Sequence, residues 1–242
     1  MCTVTYIPGK EGIFLTSNRD EKSWRKDAIP PTVYQFDSGK ILFPKDADAG
    51  GTWIAIHENG NSIVFLNGGF VFHQSAPPYR KSRGLILLDL IEGATPYNSF
   101  LAVKLNDIEP FTAIIWDDQQ LFECRWDGSQ KYCKQYDESQ PHIWSSVTLY
   151  DEEVIQKRED WFQNFLNSKA IITQPDILHF HQFTGDGDAH NDLMMNRDGK
   201  VFTVSVSSIC IKNDKASFVY LDLKNDLEYE QGISIEKNLV RR

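Results

Sequence analysis

Cysteine is scarce in this chain and never grouped into a motif. Cys2, Cys124, Cys133 and Cys210 are the four, and no two stand in a C-x-x-C spacing. That excludes a zinc ribbon and a dithiol redox motif, and four thiols in 242 residues do not make a disulfide scaffold. A reducing, cytoplasmic compartment is expected. Basic residues are in deficit as well: 25 Lys and Arg against 34 Asp and Glu leave a net charge of −9. A nucleic-acid partner is not expected, because phosphate binding needs a local cationic excess. The densest basic stretch, Tyr79-Arg80-Lys81-Ser82-Arg83, is too short for a duplex track. It suits a solvated helix start or one anionic ligand group.

Long apolar runs are missing too. Leu85 to Ile91 comes nearest and contains Asp89, far short of the ~20 residues that span a bilayer. Pro8, Lys10 and Glu11 interrupt the start, so no secretory signal is expected. No G-x-S-x-G elbow, P-loop or G-x-G-x-x-G stands where a helix opens, which removes serine-hydrolase and nucleotide chemistry. The run from Asp186 looks like a calcium loop but has Asn191 and Arg197 where a glycine and a glutamate belong. His179 and His181 are two apart in a helical stretch and do not share a face. No metal or cofactor is expected. Repeats, low-complexity tracts and linkers are absent, so residues 1–242 read as one domain.

What is abundant is aromatic: 6 Trp, 9 Tyr and 15 Phe, within 41% hydrophobic content. That composition favours strands and a sandwich-type core. Thr3 to Ile7, a turn at Pro8-Gly9, and Gly12 to Thr16 form a hairpin. Its second strand carries Asn18-Arg19-Asp20-Glu21 back to the chain start. A second hairpin turns at Asn59-Gly60 and places Gly50-Gly51 and Gly68-Gly69 at one end. Glycines there fit a close approach to a ligand, or a positive φ. Helices are predicted over 82–92, 97–105, 151–169 and 176–183. Strands are predicted over 111–116, 121–126, 131–136, 202–211, 217–223 and 227–234. Hairpins, then helices, then strands indicate a layered α+β fold with antiparallel sheets.

One constellation carries chemistry. Removal of Met1 would put a thiol and a free amine on Cys2, nucleophile and base together. The amine has an ordinary pKa of about 7.7–8.0, so it can take the thiol proton near neutrality. Arg19 would favour the thiolate, and Asp20 would hold Arg19 or the α-ammonium. Asn67, ending an apolar strand, is the first candidate for an oxyanion donor, followed by Asn18 and the Gly68 N–H. Asn18, Glu21, Trp53, Gly68 and Arg83 are expected to line the substrate. The chemistry is acyl transfer through a thioester.

Met1-Cys2-Thr3, Asn18-Arg19-Asp20-Glu21, Gly50-Gly51-Thr52-Trp53, Leu66-Asn67-Gly68 and Ser82-Arg83-Gly84 together resemble the NRDE family, also called transport and Golgi organisation 2. That family is similar to N-terminal-nucleophile hydrolases of the bile-salt and penicillin-V acylase type. The resemblance implies a four-layer αββα sandwich and a Cys2-dependent hydrolase or acyltransferase for a linear amide or acyl (thio)ester. Eukaryotic members are linked to haem movement and to lipid or acyl-CoA metabolism. The resemblance therefore also implies a carrier with haem or an acyl lipid as its small amphipathic ligand. The chain departs from the pattern twice. The acylases end the second strand Arg-Asn-x-Asp, whereas the arginine here is one place later, at Arg19. Relatives carry Ser-Asn before the long helix, and here it is Ser145-Ser146.

Overall fold

The computed structural model of the chain describes residues 3–236. It opens with the expected hairpin, β1 (Thr3–Gly9) and β2 (Gly12–Lys22). Four strands follow: β3 (Ile29–Phe36), β4 (Gly39–Lys45), β5 (Ile54–His57) and β6 (Ser62–Asn67). Helices α1 (Arg83–Glu92) and α2 (Pro96–Ala102) lead into β7 (Phe111–Asp117), β8 (Gln120–Trp126) and β9 (Lys131–Tyr136). Then come β10 (His142–Ser145), α3 (Glu152–Ser168) and α4 (Gln174–Phe183). The chain closes with β11 (Asn196–Arg197), β12 (Val201–Lys212), β13 (Lys215–Asp222) and β14 (Leu227–Ser234).

These strands form two antiparallel sheets. One runs β10-β1-β2-β12-β13-β14, with β11 paired to β12; the other runs β3 to β9 in chain order. Period-two alternation assigns each residue to a layer. On β4, Leu42 joins Tyr6, Leu15, Ile56 and Ile114 between the sheets. Its neighbours Ile41 and Phe43 pack instead with Leu87 and Leu90 of α1 and Phe100 of α2. On the far side, Ile7 and Phe14 meet Phe162 of α3 and Ile177 and Phe180 of α4. The order is therefore helices, sheet, sheet, helices, which is the αββα sandwich. Each fully buried Leu, Ile or Phe contributes roughly 1.5–3 kcal/mol by leaving water.

Local signals set the helix boundaries. Ser82 caps α1, its hydroxyl accepting from Leu85 N, and Asp151 caps α3 by accepting from Val154 N at 3.0 Å. Thr173 and Asp176 form a capping box on α4, and Pro175 sits in its first turn, where no donor is lost. That is why α4 starts two residues before the sequence reading. β10 is four residues long, too short to show a period. Among the described residues, no helix is long and apolar enough to cross a membrane.

Candidate functional site

The first hairpin pairs Thr3 with Asn18, and β10 pairs Ser145 with Thr3 from the other side. The start of β1 is thus clamped between two strands. Beyond Asn18 the partner of β2 is β12: Asn18 faces Val206, Arg19 faces Ser205 and Asp20 faces Thr203, with a register shift between Thr203 and Ser205. Alternation splits the charged cluster. Arg19 and Glu21 turn toward the second sheet, whereas Asn18 and Asp20 turn toward the helices. Cys2 lies outside the described residues.

Arg19 is buried, and its guanidinium donates to Asp46 Oδ2 at 2.7 Å. Arg25 reaches the same oxygen at 2.9 Å, and Glu21 stands 3.6 Å from Arg19. The Arg19 guanidinium also lies 4.5 Å from the centre of the Trp53 ring. The expectation that Asp20 holds Arg19 is therefore corrected: they are neighbours on one strand and point to opposite faces. Asp46, just past β4, is the partner. Its other oxygen accepts from the Asp48 and Ala49 N–H groups, which fixes the turn that carries it.

These side chains line a cleft of about 400 Å³, joined by Asn67, Tyr79, Lys81 and Arg83. Arg83 is tied to Glu109 at 3.1 Å and to the Pro110 carbonyl at 3.2 Å; burial pushes its pKa down. In the two glycine pairs, Gly51, Gly68 and Gly69 stand in close packing, whereas Gly50 adopts a φ of +72° in open space. A Cβ on Gly51 would stand 2.3 Å from the Gly84 backbone, so the β4–β5 turn and the first turn of α1 touch through glycine. Gly68 has φ +86° and lies against Val147 and Thr148. Its N–H donates to the Pro110 carbonyl at 3.1 Å, which removes it as an oxyanion donor. Asn67 lines the cleft, and its carbonyl accepts from Ser146 Oγ at 2.9 Å.

The opposite face of β2 is a buried polar network. Asn18, expected at the substrate, donates instead to the carbonyls of His181 and Leu193 and accepts from His181 Nδ1. His181 Nε2 is 2.8 Å from Thr5 Oγ1. Complete burial lowers the His181 pKa to about 3, so the ring is neutral. Asp20 accepts from Thr203 Oγ1 at 2.6 Å and from Tyr150 OH at 3.3 Å; burial raises its pKa. Beside it, Arg158 of α3 lies 3.6 Å from the Tyr150 ring centre. It donates to Thr3 Oγ1 and to the carbonyls of Asn191 and Asp192. This network holds the β1 end against the helix layer.

Sequence reasoning missed Asp46, Tyr150, Arg158 and Thr203. Arg158 alone left a trace, as a cation on the apolar stripe of α3 between Val154 and Phe162. The loop from Asp186 is closed by its own bonds, Asp192 accepting from the Asp186 N–H and Asp188 from Asn191, and Lys157 of α3 pairs with Asp186. His179 and His181 diverge, the first packing against Phe183 in a tilted arrangement with ring centres 4.8 Å apart.

The family model for transport and Golgi organisation 2 matches residues 1–227. The chain belongs to this family. No curated protein matches it. Among solved structures, this family member is similar to the Caenorhabditis elegans ortholog of N-acylethanolamine-hydrolyzing acid amidase. The TM-score is 0.60 at 10% identity, covering 86% of this chain and 92% of that one. It is also similar to two variants of the conjugated bile acid hydrolase of Clostridium perfringens. One has TM-score 0.60 and 12% identity over 95% of this chain and 92% of that one. The other has TM-score 0.53 and 11% identity over 98% of both. At such identities the likeness shows the fold, that of the N-terminal-nucleophile hydrolases, and leaves the chemistry to the residues.

Proposed function

We propose that the chain is an N-terminal-nucleophile hydrolase or acyltransferase that acts on a linear amide or acyl (thio)ester through Cys2. One observation carries the reading: Arg19, Trp53 and Asn67 converge on a single cleft at the end of the sandwich. On β1, Thr3 faces the helix layer and Val4 the inter-sheet core.

In this reading the amine of Cys2, freed by loss of Met1, takes the thiol proton. The thiolate adds to the substrate carbonyl, and the Asn67 amide donates to the oxyanion. The C–N bond breaks as the ammonium returns its proton to the leaving nitrogen. Water, or a second acceptor, then cleaves the thioester. Arg19 favours the thiolate, although Asp46 and Glu21 share its charge. Trp53 and Phe65 offer apolar surface to an acyl chain. The structural neighbours support such a substrate, one being named for N-acylethanolamines and the other for conjugated bile acids.

The test is intact mass followed by labelling with an acyl electrophile, with Cys2→Ala as control. The expected result is loss of Met1, one acyl adduct on the native chain and none on the variant. Retention of Met1 on protein from its native host removes the amine as base. Equal labelling of both chains removes the nucleophile.

A further inference from the structure

Two of the thiols set aside by the sequence reading meet in the fold. Cys124 on β8 and Cys133 on β9 are register partners on adjacent antiparallel strands. Direct partners share a face of the sheet, with Cβ atoms roughly 4.5–5.5 Å apart. Cys124 is fully buried under α1 and α2, whereas Cys133 is exposed. β9 is the outermost strand of its sheet, and Tyr132, Cys133, Lys134 and Gln135 are exposed along it.

We propose that Cys124 and Cys133 form a redox site that closes a reversible cross-strand disulfide when a small-molecule disulfide such as glutathione disulfide is in excess. Cys133 meets the oxidant first because it alone is exposed. Its sulfur attacks one glutathione sulfur, the S–S bond breaks, and one glutathione thiolate leaves. Cys124 then attacks the Cys133 sulfur of the mixed disulfide and expels the second glutathione. The two thiol protons pass to the two glutathione thiolates. Two protein thiols are thereby oxidised and one glutathione disulfide is reduced to two thiols.

The geometry sets the character of the bond. A disulfide draws its Cβ atoms to roughly 3.5–4.5 Å, so closure pulls the strands together by about 1 Å. Among the described residues no strand lies on the far side of β9, so it can yield. A bond formed against this strain is easier to reduce than a structural disulfide, which makes it reversible. Burial raises the pKa of both thiols; at Cys133 a hydrogen bond with Cys124, and then the charge of Lys131 on the same face of β9, partly counter this. Reaction is therefore expected to be slow at neutral pH and faster at pH 8–9. Cys210 lies on the other sheet, with its thiol on the Glu11 carbonyl at 3.7 Å, and is no partner for either.

The experiment uses the full chain without substitution. The protein is incubated with glutathione disulfide, alkylated, digested without reduction and analysed by mass spectrometry. The expected product is one linked peptide pair joining Cys124 to Cys133, two hydrogens lighter than its parts and lost after dithiothreitol. In Cys133→Ser, Cys124 is expected to remain a free thiol under the same treatment. Oxidation that stops at glutathionylated Cys133 with Cys124 free would overturn the proposal. So would a Cys133 link between two chains.

Discussion

Arg19 donates to Asp46 at 2.7 Å, joining the end of β2 to the turn after β4. The contact ties the two sheets together at the rim of the cleft. Replacing Asp46 with Ala would leave a buried guanidinium short of a carboxylate and free the Asp48 and Ala49 N–H groups. Breaking a buried pair from one side costs about 3–5 kcal/mol. Urea unfolding of Asp46→Ala should show a loss of that order, and Asp46→Asn a smaller one. An unchanged midpoint would mean that Arg25 and Glu21 suffice to hold Arg19.

Arg158 should matter as much from the other face of the first sheet. Arg158→Leu would strand the Asn191 and Asp192 carbonyls and remove one positive charge near Asp20. A destabilisation of about 3–5 kcal/mol is expected, with partial recovery in Arg158→Lys, which keeps the charge but loses the fork. Thermal unfolding of the three proteins checks the order. If lysine matched the native residue, the planar geometry would be irrelevant.

His181 predicts a pH signature. Its folded pKa is about 3 against an ordinary 6.5. Between those values the unfolded chain binds a proton that the native ring refuses, so stability falls as pH drops from about 6.5 toward 3. The full interval corresponds to about 5 kcal/mol at 1.36 kcal/mol per pH unit. Asp20, whose pKa is raised by burial, acts in the opposite sense and offsets part of this. Comparison with His181→Gln isolates the histidine. The variant should be less stable at pH 7.5 by about 1–3 kcal/mol, for its broken bonds to Asn18 and Thr5. The gap should then close and reverse in sign as pH falls to 4. A gap independent of pH would contradict a neutral buried ring.

Gly51→Ala tests whether Gly51 serves packing. The added methyl would meet the backbone of Gly84 at 2.3 Å, and backbone cannot rotate away. A cost of about 1–3 kcal/mol or more is expected in denaturant unfolding. Stability equal to the native chain would return Gly51 to a role at the ligand.

Much of the fold was legible because periodicity and turn chemistry are local. The first hairpin, the Asn59-Gly60 turn and the Asp151 cap all declared themselves in a few residues. β10 did not, since a four-residue strand has no period to show. The candidate site was legible in part. Arg19, Trp53 and Asn67 do share a cleft, but Asn18 points to the helices and the Gly68 N–H is already bonded. No local signal announces Asp46 as the partner of Arg19 or Arg158 as the support of Thr3, because those contacts join residues 27 and 155 positions apart.

The sequence by itself determined which residues alternate, where helices begin, and that Asn18 to Glu21 return to the level of Thr3. It also determined the scarcity of thiols and of positive charge. Only the tertiary structure decided which face of β2 meets the cleft, which carboxylate neutralises Arg19, and that Cys124 and Cys133 stand opposite one another. The physical reason is common to all three. Strand register and sheet stacking are set by burial summed over the whole chain, and no residue carries that sum in its neighbours.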